Sequence, residues 1–233
     1  MLPGAFHIKM AAADTIWRTH IQQKNLHDMP TGMFSFFNTL FLNKSAKISS
    51  NPPFQMLQDG IGYLAQLYIL NVCNGVYLEV HKKELEPWVK SNLTWESIIE
   101  LCASVFKTKV AGPEFDNLCS PYAHSNTCDK IHENQLLANC DLLCYMALSD
   151  AMNHGDIGLV TDLLWMWVPM FRGCGKHKYA THLLCFLTKL HQYPEPLTHA
   201  ILLNWFCNPS GKEGGFHGYD WLVEQMNLYV KVY

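Results

Sequence analysis

The chain has 233 residues, 49% of them hydrophobic and only 16% charged, with a net charge of −3 at pH 7. That length is enough for a real core in one large or two small domains. The 17 Lys and Arg residues form no basic block, which excludes a free-standing nucleic-acid module with a clustered positive face.

From the amino end, Pro3-Gly4 forms a turn ahead of a helix over Phe6 to Ile21, with Trp17 as its anchor. Residues 31 to 54 are rich in Phe, Asn and Ser and read as an irregular connection with room for a short helix. A long apolar helix runs from Phe54 to Val76, loosened by Gly60 and Gly62, and Val76 to Val80 is the one strand-like stretch. Thr94 caps a helix over Trp95 to Lys107. Gly112 to Thr127 is a loop, followed by a helix from Asp129 to His154 that Gly155 ends. Asp156 caps the next helix, Ile157 to Phe171, where Pro169 is expected to kink or shorten it. Further helices follow over Tyr179 to Gln192 and Leu197 to Phe206, then a loop over Asn208 to Gly215 and a last helix from Asp220. The fold class is mainly α: an irregular multi-helix bundle with at most one or two short strands. The expected organisation is an N-terminal helical part over 1–111, a loop over 112–128 and a C-terminal helical part over 129–233 carrying Asp156 and Glu224, either as separate parts or as one continuous domain.

No uninterrupted apolar run reaches the roughly 18 residues of a membrane span. No secretory leader pattern opens the chain. The nine cysteines are therefore read as reduced thiols of an intracellular protein, nuclear or cytoplasmic, with no membrane partner. The low charged share points to a surface that meets another chain or a missing segment.

The last helix carries the most chemistry. Asp220, Glu224, Asn227 and Lys231 fall within a stripe roughly 60° wide, while almost everything else on it is apolar. A helix of that composition is expected to be buried on most sides, with its polar line either paired internally or facing a cleft. In the structural reading, Asp220 caps a helix start, Asn227 bonds a neighbour and Lys231 answers the helix dipole. In the chemical reading, Glu224 is a metal ligand or general base. Asp156, a helix cap in the simpler view, would then join it around Mg²⁺ or Mn²⁺. Cys119, His124, Cys128 and His132 are zinc-ligand types in a tetrahedral number, at a spacing unlike the familiar knuckles. Gly173-Cys-Gly-Lys176 lacks the glycine and the Ser or Thr of a phosphate loop.

The blocks Gly155-Asp-Ile-Gly158, Met170-Phe-Arg-Gly173, Lys178-Tyr-Ala180, Asn204-Trp-Phe and Asn208-Pro-Ser-Gly211 precede Asp220-xxx-Glu224-xx-Asn227-xxx-Lys231. Their order and spacing resemble a large uncharacterised fungal family of transposon-associated proteins. The stretch Leu2 to Met10 also resembles a block of that family. The family in turn is loosely similar to RNase H-like transposases of the Kyakuja-Dileera-Zisupton kind. The resemblance implies a fragment of a larger RNase H-like protein, with Glu224 as the helical acid and Asp156 or Asp220 in support. It also implies a catalytic Gly-Asp segment upstream of the block that begins here. The expected function is that of the C-terminal part of a transposase-like protein, without activity of its own, touching nucleic acid only within a longer chain. The alternative is a non-enzymatic helical module that binds another protein, or the missing N-terminal part, through apolar surface.

Overall fold

The structure is a computed structural model that describes residues 3–21, 32–42, 44–50, 52–90, 94–113, 116 and 130–232. The described residues are mainly α-helical. In chain order the helices are α1 (Ala5–His20), α2 (Met33–Leu40), α3 (Ser45–Ser50), α4 (Phe54–His81), α5 (Leu85–Lys90) and α6 (Trp95–Lys109). After them come α7 (Lys130–His154), α8 (Ile157–Gly173), α9 (His177–Gln192), α10 (Glu195–Leu203) and α11 (Tyr219–Val232). The one sheet among the described residues pairs β1 (Phe206–Cys207) with β2 (His217–Gly218), antiparallel, with Phe206 opposite Gly218.

Two compact units emerge. One joins residues 1–59 to 144–233, and the other comprises 60–143. A split of this kind follows when distant ends of a chain pack together and leave the middle as an insertion.

In the first unit α1 is the central helix. Ala5, Ile8, Ala11, Ala12, Ala13, Ile16 and Trp17 are all buried, and the alanines let neighbouring helices approach closely. Alongside it runs the α8–α9 hairpin, whose turn holds Gly175 at φ +82°, a conformation natural to glycine. Trp167, Phe171 and Leu164 of α8 are fully enclosed. α8 runs through Pro169 to Gly173, so the proline does not shorten it. Asp14 of α1 accepts from Lys176 Nζ at 2.5 Å and from Arg18 Nε at 2.7 Å, joining α1 to the start of α9.

In the second unit Cys73, Val76 and Val105 form a small core with Ile69, Val72, Leu85 and Leu101 around it. Val76 to Val80 is helical, not a strand: α4 continues to His81, because Val76 and Tyr77 keep the helical spacing of buried positions set by Cys73. Asn74 Oδ1 accepts from Leu85 N at 3.2 Å and sets the start of α5. Thr94 and Ser97 exchange side-chain and backbone hydrogen bonds in a capping box at the start of α6. α4 is long and apolar enough, by length and composition, to cross a membrane, although Gln66, Asn71 and Asn74 interrupt its apolar run.

Candidate functional site

α11 begins directly after β2, so the hairpin delivers Asp220 to the first turn of α11 and to the amino end of α1. Its carboxylate does not cap its own helix. Oδ1 accepts from Phe6 N at 3.0 Å, and Oδ2 accepts from His7 N at 3.0 Å and meets His7 Nδ1 at 2.8 Å. Those backbone N–H groups lie in the first turn of α1, where helix geometry leaves donors without partners. Gly4, the residue before α1, has no capping side chain of its own, so Asp220 supplies the missing acceptor from more than 200 residues away. The fit depends on two glycines. A Cβ on Gly4 would collide with the Asp220 carboxylate, and one on Gly218 would stand 2.5 Å from Asp220 Oδ1 and 2.8 Å from Ala5 Cβ. Trp205 Nε1 donates to Pro3 O at 2.8 Å and fastens the same end of the chain.

Beyond this first turn, α11 is not buried as its apolar content suggests. Glu224, Asn227 and Lys231 are exposed, and so are Val223, Met226, Leu228, Tyr229 and Val230. The helix packs on α1 and β2. Asp156 is also exposed and caps α8 by accepting from Leu159 N at 3.0 Å. The carboxylates singled out in the sequence are thus engaged in capping or turned to solvent. Among the described residues no three His, Cys, Asp or Glu side chains come together as metal ligands. Cys119, His124 and Cys128 lie outside the described residues, while His132 is exposed on α7. Lys176, from the rejected phosphate loop, pairs with Asp14.

The most unusual chemistry lies where the sequence drew no attention. A cavity of about 160 Å³ is walled by α1, the first turns of α4, the end of α7, the β1–β2 hairpin and Trp221. Lys9 lines it and is only 8% exposed. Its ammonium donates to Asn153 Oδ1 at 3.1 Å, with no ion pair among the described residues. Burial pulls its pKa down to about 8. His217, stacked on Trp221 with ring centroids 4.0 Å apart, lies across the same cavity. Burial, and then the charge of Lys9, lower its pKa below the ordinary imidazole value. A signal for Lys9 exists in the sequence: it is the one charged residue in Ala5-Phe-His-Ile-Lys9-Met-Ala-Ala-Ala13, one turn from Ala5, Ala12 and Ala13 on a face that has to be buried. Nothing local marks His217 or Asn153 as its neighbours.

The chain belongs to a family whose model matches residues 1–233 and whose description is "Family of unknown function (DUF6589)". Comparison with curated proteins and with solved structures returns no match.

Proposed function

We propose that this member of the family is a non-enzymatic helical interaction module of a transposase-like, transposon-derived fungal protein, and that α11 is its contact helix. The transposon connection rests on the sequence blocks from Gly155 to Lys231. The observation that supports an interaction role is the bare apolar surface of α11. Val223, Met226, Leu228, Tyr229 and Val230 are each more than half exposed, and Val230 reaches 80%. Bare apolar side chains gathered on one helix in this number mark a place where something binds.

The occupant is an apolar groove of another protein, in the manner of a helix laid into a groove. The polar line of α11 carries Asp220 and Glu224 against a single Lys231, so it lacks the cationic face that anionic headgroups attract. Catalysis by this segment is disfavoured because Asp220 is committed to α1.

A photo-cross-linking residue placed at Met226 or Val230 should give one discrete protein adduct in cells, and the same residue at exposed Lys212 should not. A Val223→Asp, Tyr229→Asp chain should lose the adduct while keeping its helical circular dichroism. Lipid adducts, or none above the Lys212 level, would refute the contact. Mg²⁺- or Mn²⁺-dependent strand cleavage abolished by Glu224→Gln would refute the non-enzymatic assignment.

A further inference from the structure

The cavity at Lys9 is independent of the outer face of α11. Its wall mixes one ammonium with amide and aromatic groups: Asn153 and Gln58 beside Phe6, Phe54 and Phe216. Among the described residues that line it, Lys9 and His217 are the only titratable side chains, and no carboxylate answers them. An ammonium has three donors, and Asn153 takes one. Removing a charge from water is costly, and an opposite charge that meets it offsets the cost. The chain has packed such a charge against open space instead of against one of its own acids.

We propose that this cavity binds a small aromatic monocarboxylate, its carboxylate paired with the Lys9 ammonium and its ring against the phenylalanine side of the wall. The size agrees: about 160 Å³ is close to the roughly 150 Å³ cavity known to accept benzene. The charge agrees as well. His217 is held toward its neutral form, so the wall offers a single positive charge, which a monoanion balances and a phosphate dianion exceeds. Gln58 and Asn153 add amide groups that can bond the second carboxylate oxygen or orient it.

Benzoate, benzamide and inorganic phosphate serve as probes on the full chain in carboxylate-free buffer. Calorimetric titration should give saturable binding of benzoate alone, with affinity about tenfold or more weaker for Lys9→Met, the loss expected for one charge-assisted contact. A second readout needs no variant. Reductive methylation followed by mass spectrometry should modify Lys9 in the free protein, and saturating benzoate should slow that reaction about tenfold relative to the exposed Lys212, a protection set by occupancy of the site. Benzamide should give no such protection. The proposal is overturned if benzoate shows no saturable binding, if Lys9→Met binds it as well as the parent chain, if benzamide protects Lys9 equally, or if Lys9 is unreactive in the free protein.

Discussion

Replacing Lys9 by Met tests the electrostatics of the central helix in a way that isolates one group. Folding carries Lys9 from water, where its pKa is 10.5, to a site where burial lowers it to about 8. Below pH 8 both the folded and unfolded chains hold the proton, and the folded state bears the full burial cost. Between pH 8 and 10.5 the unfolded chain holds more protons, so stability rises with pH across that window. At about 1.4 kcal/mol for each pH unit, the full effect is about 3 kcal/mol, most of it gained by pH 10. Lys9→Met removes the ammonium and keeps the apolar stem, at the expense of the Asn153 hydrogen bond, worth about 1 kcal/mol. At pH 7 the variant should therefore be more stable by about 2 kcal/mol. Urea unfolding of both proteins at pH 7 and pH 10, in buffer free of carboxylates, gives the comparison. Groups common to both chains largely cancel; the exception is His217, whose pKa the Lys9 charge helps to lower in the wild type alone. The wild type should gain about 2.5 kcal/mol on the variant over that range. A difference that does not change with pH, or a variant less stable at pH 7, would mean that Lys9 is already paired and that the cavity argument fails.

Asp220→Ala should lower stability by about 1–2 kcal/mol in the same unfolding assay, because it strips the acceptor from the first turn of α1. Glu224→Gln, at an exposed position, should stay within about 0.5 kcal/mol of the parent. Equal effects would contradict the division of roles between the two acids. Tyr145→Phe should raise stability by about 1 kcal/mol, since the Tyr145 hydroxyl is buried with no hydrogen-bond partner among the described residues and its removal ends a desolvation cost; a loss in thermal unfolding would reveal a partner. Gly218→Ala should lower the unfolding midpoint and also increase amide exchange at Phe6 and His7, because its methyl group would push on Asp220 and Ala5 together. Unchanged exchange there would show that the hairpin absorbs the methyl without disturbing the cap.

Much of the helical order is legible in the sequence because it rests on local signals. Thr94 with Ser97, and Asp156 before an apolar run, announce helix starts that the structure contains. The mainly α class and the scarcity of strand follow from spacing alone. Val76 to Val80 was legible only as β-branched composition, and tertiary packing against Cys73 and Val105 overrides that preference. The exposure of α11 was not legible: apolar content shows that a helix wants cover, but not whether this chain supplies it. Asp220 is the clearest case of partial legibility. A carboxylate at that spacing reads as a helix cap, which it is, yet the helix it serves lies at the other end of the sequence. Lys9 was hidden for a similar reason, since its significance comes from Asn153 and His217, residues brought near only by the completed fold.

The Asp220 bridge also sets an order of events during synthesis. A ribosome releases residues 5–20 long before residue 220 leaves the exit tunnel. The first helix therefore waits through the synthesis of more than 200 further residues for its terminal acceptor. Its alanine-rich face, which ends up in the middle of the unit, depends on transient contacts until that segment emerges. Maturation of this unit therefore waits on the stretch that carries Asp220.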